Sequence, residues 1–388
     1  MAKAFFDEPR TWSQVKYKIL IYYFREYFQK VNNFYHRPAV VADLFAGTGK
    51  FASGQDGSPL ILSHYAREAY HATKQKNIIC VAEAIRRNRQ LLEDNLREYL
   101  RDGTAVMLPG DAREAGEVLL RGLSRDKPFV IFLDPFGLKG LSMELMRQIF
   151  ERVDGQSTEV LLNYNEPSLY RHFGRIRKDQ FSRDAVRSKD ILRYCIGASD
   201  DIDKIIAGLA EGTLEFQDAV KRFTNVYLAA FRKHFRYVEI FPITEAFRSQ
   251  RVKYYLLFAT RSKIAFELMS DCMARTTLEL GEEYNRRWQE NSIFGTEHGD
   301  EALIVPDRRT PIDRIVYSMY HRVVHPVEGG VGFRREELVS WIHENFFGHY
   351  RSATIRAAIK KLLVSGTFRT LDGKSTLNDQ TVLITGNN

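Results

Sequence analysis

Acidic residues stand where short apolar runs of this sequence end. Asp43 lies at the end of AVVADLF, just before Gly47 and Gly49, while Glu83 follows NIICV and Asp111 follows TAVML. A strand that leads into Gly-x-Gly lets the backbone approach a ligand closely, because glycine has no Cβ and tolerates unusual dihedral angles. In doubly wound sheets, ligands bind at the carboxyl ends of the strands. Gly-x-Gly also occurs in ordinary turns, so the prediction of a ligand site depends mainly on the acidic residues.

A dinucleotide site is one interpretation of the first turn, since Gly47, Gly49 and Ala52 fit G-x-G-x-x-[GA]. That motif requires a helix that begins inside it and an acidic residue about 20 residues further on. Here the sequence predicts that the helix begins only at Ser58, after the loop KFASGQDG, and Glu83 follows Gly49 at a much longer spacing. The fit to a dinucleotide site is therefore poor.

S-adenosylmethionine (SAM) suits the three acids better. Its methionine end is cationic and its ribose offers two hydroxyls, and acidic residues at the positions of Asp43 and Glu83 suit these groups. Asp111 is placed to accept a hydrogen bond from an adenine N–H. An acid at a strand end is otherwise simply solvated, so the prediction depends on all three acids occurring together. The candidate cofactor-binding residues are Asp43, Phe45, Ala46, Gly47, Gly49, Glu83, Asp111 and Ala112.

Four motifs resemble those of a known enzyme class. DLFAGTG, VAE, PGDA and LDPFG, in this order, are similar to the SAM-binding and catalytic motifs of class I methyltransferases. DPFG resembles the tetrapeptide of tRNA guanine-N2 dimethyltransferases and is related to the D/N-P-P-Y/F motif of enzymes that methylate exocyclic base amines. DLFAG, a long loop with GSP (57–59) and DPFGLKG (134–140) resemble the three-Cys-motif partner (TcmP) family more closely still.

The TcmP resemblance covers roughly residues 10–280, and VEIFPITEAFRSQRVKYYLLFAT (238–260) looks like the end of that family's sheet. It implies a methyltransferase-like domain that uses SAM. It also implies a separate Cys-motif protein as a partner, one suggestive of iron–sulfur chemistry.

The tetrapeptide DPFG (134–137), at the end of the apolar run PFVIFLDPFG, supplies the candidate catalytic residues Asp134, Pro135 and Phe136. The Asp134 carboxylate and the Pro135 carbonyl can accept the N–H groups of a target amine and direct its lone pair, and Phe136 can stack on an extruded base. The aromatic residue is third rather than fourth in the motif, which weakens the stacking role. Asp134 is alternatively a cofactor-contacting or structural acid. Asn163 and Asn165 either line the same cleft or cap the following turn.

Basic residues cluster at two places. The segment 171–193 holds eight Lys and Arg residues against three acidic ones. Helical spacing there predicts a phosphate-contacting face, although a solvated helix that pairs with its own acids is an equal alternative. The candidate nucleic-acid-binding residues are Arg171, Arg175, Arg177 and Lys178 in this segment, and Arg356, Lys360 and Lys361 near the C-terminus.

The elements that would position these residues alternate between strands and helices. Five runs, at 39–45, 77–84, 104–112, 128–137 and 158–165, are almost continuously apolar, as expected for parallel strands buried on both faces. Helix-forming stretches separate them, and a long helix over 11–36 precedes them. This alternation predicts an α/β fold with a doubly wound, Rossmann-like sheet, which the resemblance identifies as a class I methyltransferase sheet.

The pattern divides the chain into a SAM methyltransferase-like domain over 1–283, a linker over 284–310 and a winged-helix domain over 311–388. Residues 166–235 are helical and charged, and are predicted to form an insertion before two final strands at 236–243 and 253–260. Three helical patterns at 311–324, 334–347 and 352–366, followed by a hairpin, have the order of a winged helix. Such modules bind nucleic acid or protein.

Composition restricts the class of protein. The chain has 388 residues and a net charge of +8, which favours polyanionic partners without identifying one. Three cysteines form no disulfide framework and no Cys-x-x-Cys pair, which predicts a cytoplasmic protein without a cysteine-rich metal site. His321, His325, His343 and His349 show no convincing metal spacing and are expected at the surface or between domains. No apolar run reaches the roughly 20 residues of a membrane span.

Together these features predict a SAM-dependent methyltransferase that acts on DNA or RNA, with an exocyclic base amine as the target. Two alternatives remain. The first is a SAM-binding partner or regulatory protein that methylates no polymer, and the second is a small-molecule methyltransferase.

Overall fold

The computed structural model describes residues 11–138, 140–152, 158–197, 199–244, 252–292, 315–316, 332–373 and 377–385. The chain divides into two units, Met1–Phe266 and Glu267–Asn388. The division falls within one long helix.

A seven-stranded sheet forms the centre of the first unit, in the order β3-β2-β1-β4-β5-β7-β6. Its strands are β1 (Val40–Asp43), β2 (Ile78–Val81), β3 (Ala105–Met107), β4 (Phe129–Leu133), β5 (Thr158–Tyr164), β6 (Tyr237–Thr244) and β7 (Val252–Thr260). β1 to β5 pair in parallel, with Val41 beside Ile79 on one side and Val130 on the other. β1, β4 and β5 are buried along their whole length, which confirms the prediction of a Rossmann-like α/β sheet.

The strand order reverses between β1 and β4, because β2 and β3 lie to one side of β1 while β4 and β5 lie to the other. In open α/β sheets the crevice at such a reversal is the usual ligand site. β7 is antiparallel to both β5 and β6. The sheet therefore departs from the order 3-2-1-4-5-6 that is usual for dinucleotide-binding folds.

Helices connect the strands of the first unit. They are α1 (Thr11–Tyr35), α2 (Ser58–Thr73), α3 (Arg86–Arg101), α4 (Ala112–Gly122) and α5 (Met143–Glu151), followed by α6 (Glu166–Lys178), α7 (Arg183–Ile196), α8 (Asp200–Glu211) and α9 (Phe216–Arg232). α1 packs against α2 and buries Leu20, Tyr23 and Tyr27 on one face.

The four helices α6–α9 occupy the region predicted as a helical insertion. Their apolar side chains, such as Phe173, Leu192, Phe223 and Phe231, belong to the same buried cluster as Ile131 of β4. The insertion is thus part of the core of the first unit rather than an appended module, and this core holds α6 against the end of β5.

The second unit includes most of α10 (Lys263–Ser292) together with β8 (Phe333–Arg334), α11 (Arg335–Asn345), α12 (Ser352–Val364), β9 (Phe368–Thr370) and β10 (Val382–Thr385). The three strands form an antiparallel sheet in the order β8-β10-β9. A small core packs Leu338 and Ile342 of α11 against Ile355 and Ile359 of α12 and Leu383 of β10. The helix predicted over 311–324 lies outside the described residues except for Ile315 and Val316, which are helical.

Two details of the second unit correct the sequence analysis. The linker predicted over 284–310 does not begin at 284, because α10 continues to Ser292. The segment YNRRWQENS contains no glycine or proline, so nothing in it interrupts the helix; residues 293–310 lie outside the described part. His343 is not a surface residue but is fully buried in this unit.

Within the described ranges, no helix is long and apolar enough to cross a membrane.

Candidate functional site

The Gly-rich turn after β1 lies at the point where the strand order reverses. The Ala46 amide donates to the Ala82 carbonyl at 3.0 Å, and the Gly47 amide donates to Glu83 Oε2 at 3.0 Å. Gly47 and Gly49 have φ angles of 61° and 79°, which favour glycine over any residue with a Cβ. The end of β2 therefore holds the turn in place through backbone and carboxylate contacts.

The loop over 50–57 folds back on this turn. Phe51 and Gln55 pair through their backbones at 2.9 Å, and the Gly57 amide donates to the Gly49 carbonyl at 2.7 Å. A Cβ on Gly57 would lie 2.8 Å from that carbonyl oxygen, so only glycine fits there. The Phe51 ring packs edge-on against Tyr17 of α1, with 5.8 Å between ring centroids. α2 begins after this loop at Ser58, as predicted.

A buried ion pair joins α1 to the end of β4. Lys16 Nζ donates to Asp134 Oδ2, and Asn163 Nδ2 of β5 donates to Asp134 Oδ1 at 2.6 Å. The Lys16 side chain is 6% exposed and that of Asp134 is 20% exposed. Burial, the largest single influence, works against the charge on Lys16. The Asp134 carboxylate, together with Tyr17 and Tyr254, outweighs it and raises the pKa of the ammonium group. Asp134 is thus held as an oriented carboxylate, with both oxygens engaged.

Asp43 lies beneath the turn and is fully buried. Burial raises the pKa of its carboxyl to about 7, while the Ser58 hydroxyl and the Phe45 amide partly offset this effect. The Phe45 amide donates to Oδ1 at 3.2 Å, whereas Oδ2 has no hydrogen-bond donor in the described part of the chain. Asp134 also raises this pKa and Lys16 lowers it, so the three charges act on one another.

A cleft opens above these residues with a volume of about 50 Å³. It brings together the predicted residues Phe45, Ala46, Gly47, Gly49, Asp134 and Phe136 with Ser13, Lys16, Tyr17, Thr48, Lys50, Phe51, Gly57 and Ser58. Phe136 is 71% exposed at its edge, while Pro135 is buried. Small-molecule sites usually enclose about 300–1,000 Å³, so this cleft is much smaller than the usual site of a nucleoside-sized ligand.

The other predicted cofactor residues have local roles in the structure. Glu83 borders the cleft through its bond to Gly47, and its Oε1 accepts the Ile85 amide at 2.8 Å. Asp111 is the N-cap of α4, where Oδ1 accepts the Arg113 and Glu114 amides at 3.0 Å each, and Ala112 is the first residue of that helix. The residues that line the cleft described above do not include Asp43, Glu83, Asp111 or Ala112.

The two asparagines separate into different roles. Asn163 contacts Asp134, and its Oδ1 is buried with no donor among the described residues. Asn165 instead caps α6 by accepting the Ser168 amide at 3.2 Å.

Sequence reasoning missed Lys16 and Tyr17. The signal for Lys16 was its position on the buried face of α1, four residues before Leu20 and seven before Tyr23. A lysine on an apolar face needs an acidic partner, which only the tertiary fold could identify.

Three of the four basic residues predicted on α6 form an exposed row. Arg171, Arg175 and Lys178 are exposed, opposite the buried Phe173 and Ile176. Arg177 lies apart from this row. Its guanidinium donates to Glu215 at 3.2 Å and to the Leu214 carbonyl, and it lies 4.6 Å from the centre of the Phe216 ring.

The second unit exposes Arg356, Lys360 and Lys361 on α12. His343 contacts the Ser270 hydroxyl through Nδ1 at 2.8 Å and the Ser352 hydroxyl through Nε2 at 3.1 Å. In the described ranges no cluster of three or more His, Cys, Asp or Glu residues could hold a metal ion. His321 and His325 lie outside those ranges.

Comparison of this chain with protein-family models and with curated proteins finds no match.

Proposed function

We propose that this chain is a SAM-dependent methyltransferase-like protein that acts on nucleic acid, with an exocyclic base amine as the target. The observation that carries the proposal is the buried cluster of Asp43, Lys16 and Asp134 at the point where the strand order reverses. Two carboxylates face one ammonium, so the ionised cluster has an excess negative charge next to the Gly-rich turn. A cationic ligand would balance that charge.

The residues present fit such a ligand. Asp43 Oδ2 and Asn163 Oδ1 are buried acceptors without donors in the described part of the chain, and buried polar atoms normally have partners. Asp43 would face the cationic methionine end, and Glu83, which already borders the turn, would accept from the ribose hydroxyls. When bound, SAM supplies an electrophilic methyl group. The antiparallel β7 also supports this assignment over a dinucleotide site, since β6 and β7 form the segment that resembles the end of the TcmP sheet.

Asp134 and Pro135 would hold the acceptor amine. Hydrogen bonds from Lys16 and Asn163 fix the direction of the Asp134 carboxylate, so its remaining lone pairs can accept an amine N–H group. The sulfonium S–CH3 bond would break as the N–CH3 bond forms, leaving the demethylated, neutral thioether product. The Asp134 carboxylate would stabilise the positive charge that develops on nitrogen until the nitrogen gives up one proton to water. Phe136, at the edge of the cleft, offers a face on which a base can stack.

A radiolabelled methyl-transfer assay on total RNA and total DNA tests the proposal, with and without a three-Cys-motif partner protein. Incorporation should require SAM and should fall by about 10²-fold or more in Asp134→Ala, as on removal of one preorganised polar contact. SAM affinity, measured by calorimetry, should fall less. If Asp134→Ala abolishes SAM binding while Phe136→Ala has no effect on methyl transfer, the tetrapeptide is part of the cofactor-binding site rather than the catalytic site. The proposal of amine methylation then loses its main support.

One observation favours a second candidate, a SAM-binding regulatory protein without polymer methylation. Both oxygens of Asp134 already have protein partners, which also suits a purely structural acid. SAM binding with no transfer to either polymer would support this candidate. A small-molecule methyltransferase is disfavoured by the exposed basic row on α6.

We further propose that the second unit is a winged-helix module. The order β8, α11, α12, β9, β10 and the antiparallel sheet support this assignment. In such modules the last helix reads DNA, and here Arg356 and Lys360 lie on the exposed side of α12. Docking of a protein partner remains the alternative for this surface.

A further inference from the structure

The turn between α6 and α7 presents an exposed aromatic ring. Phe181 is 84% exposed, and hydrogen bonds close the turn that carries it. Its amide donates to Asp179 Oδ1 at 3.0 Å, and Ser182 both donates to the Asp179 carbonyl at 2.8 Å and accepts the Ala185 amide at 3.2 Å. These hydrogen bonds hold the backbone of the turn, whereas the ring itself is exposed and adds almost nothing to the core.

Exposed cations occur on both helices that this turn connects. The exposed row of Arg171, Arg175 and Lys178 precedes it, and Arg183 and Arg187, also exposed, follow it on α7. None of these five residues forms an ion pair within the described ranges. His172 lies beneath the row, and its pKa is lowered to about 4 by burial and then by Arg175 and Arg171.

The row begins beside the candidate active site. α6 starts at Glu166, three residues after Asn163, which contacts Asp134. At 1.5 Å per residue, Lys178 lies about 18 Å along the helix axis from Glu166. Arg171 and Lys178 lie about 10 Å apart along the helix axis, so the row is long enough to contact more than one phosphate of a strand.

We infer that this surface, defined by Arg171, Arg175, Lys178, Phe181, Arg183 and Arg187, binds a single-stranded nucleic acid whose unpaired base stacks on Phe181. The inference rests on the proposed function, because the strand is taken to continue into the Asp134 cleft. A phenyl ring can stack only on a base whose face is accessible, and a duplex hides those faces. Aromatic rings among cations are typical of proteins that bind single strands without sequence preference.

Fluorescence anisotropy with the full chain tests this inference. The probes are a labelled dodecamer of oligothymidine, its oligouridine counterpart and a duplex of the same length, each titrated at several salt concentrations. The wild-type protein should bind both single strands more tightly than the duplex. Phe181→Ala should weaken single-strand binding by roughly tenfold or more, since stacking on one aromatic ring accounts for that much. Duplex binding should change little.

Charge reversal tests the cations separately. Arg171→Glu, Arg175→Glu and Lys178→Glu combined should weaken binding of all polynucleotides and reduce the salt slope by about 0.7 for each phosphate that the variant no longer neutralises. The matched control for the ring is Phe34→Ala on α1, where the side chain is 69% exposed. The control for charge is Lys76→Glu with Arg101→Glu, both exposed and located at the amino ends of the strands.

Several outcomes would overturn the inference. Unchanged single-strand affinity in Phe181→Ala, or an equal weakening in Phe34→Ala, would contradict a stacking role for Phe181. Tighter binding of the duplex than of the single strands would also contradict the inference, as would binding to anionic phosphatidylglycerol vesicles without binding to polynucleotides. Methyl transfer is measured apart from binding. If the protein methylates nucleic acid while the Phe181 and α6 variants bind as wild type does, the proposed function stands and this inference fails. If the variants lose single-strand binding but the wild-type protein transfers no methyl group, this surface binds single strands and the proposed methyltransferase function fails.

Discussion

Lys16, in the second turn of the first helix, donates a hydrogen bond to Asp134 at the end of β4. This contact connects residues 118 positions apart and ties α1 to the candidate catalytic tetrapeptide. Both side chains are mostly removed from water, with Lys16 the more deeply buried. Loss of one partner would therefore leave the other charge poorly solvated, which is more costly than loss of the pair.

We expect Lys16→Met to lower the free energy of unfolding by about 3 kcal/mol, the lower end of the range for a broken buried pair because Asp134 keeps some solvent contact. Lys16→Met combined with Asp134→Asn should cost clearly less than the sum of the two single changes. Urea unfolding of all four proteins measures this coupling.

The matched control for this pair is Arg37 with Asp126, where the side chains are 48% and 56% exposed. Coupling in such an exposed pair is usually below about 1 kcal/mol. Additive costs for Lys16 and Asp134 would show that the pair does not act as a unit.

The sheet was predictable because its central strands are buried on both faces, which leaves apolar runs such as Phe129–Leu133 that admit few other interpretations. The Gly-rich turn and the late start of α2 were predictable from local properties of the chain. Gly47 and Gly49 permit the positive φ angles of the turn, and Pro59 favours the first turn of a helix. Contacts across the fold were not predictable. Nothing near Lys16 in the sequence indicates Asp134 as its partner.

Acids at strand ends show the limit of local reasoning. Asp43, Glu83 and Asp111 occupy equivalent positions in the sequence pattern, yet the structure buries Asp43, sets Glu83 against the turn and uses Asp111 as a helix cap. An aspartate before a helix is favoured as an N-cap whether or not a ligand is present. Only the burial and partners of each carboxylate distinguish these roles.

Asp43 makes SAM affinity depend on pH under the proposed function. Its folded-state pKa is about 7, so below that pH the carboxyl is mainly protonated and cannot balance a cation. SAM affinity should therefore rise by at most tenfold per pH unit up to about pH 7, and it should be constant above that pH. Binding below pH 7 should release a proton, which calorimetry in two buffers of different ionisation enthalpy detects.

Asp43→Asn provides the control, because it retains the shape of the side chain without a titrating group. Its SAM affinity should be lower and independent of pH in this range. The demethylated product lacks the sulfonium charge and should depend on pH less than SAM does. Equal pH profiles for the wild-type protein and Asp43→Asn would remove Asp43 from the cation site.

Phe136 should affect the polymer substrate rather than the cofactor. If its exposed ring stacks on the target base, Phe136→Ala should raise the apparent KM for nucleic acid by an amount equivalent to about 1–3 kcal/mol. SAM affinity should be unchanged, and Phe136→Tyr should retain most activity because it preserves the ring. A lower kcat with an unchanged KM would argue that the ring orders the catalytic turn instead.

His343 makes the second unit sensitive to acid. Burial lowers its pKa to about 4, Asp271 acts in the opposite direction and Arg356 adds to the lowering. The usual value of 6.5 applies to the unfolded chain, which therefore binds a proton that the folded state excludes. The contribution of neutral His343 to the free energy of unfolding should be complete above about pH 6.5. It should decrease as the pH falls towards 4, by up to about 1.4 kcal/mol per pH unit.

His343→Gln should flatten this dependence, because glutamine can still exchange hydrogen bonds with the Ser270 and Ser352 hydroxyls but does not titrate. Urea unfolding between pH 7 and pH 4 compares the two proteins, and the variant should lose less stability across that window even if it is less stable at pH 7. His172→Gln is the matched control, since burial also lowers the pKa of His172 to about 4 but in the first unit. Parallel profiles for wild type and His343→Gln would mean that the acid sensitivity of the second unit arises from another group.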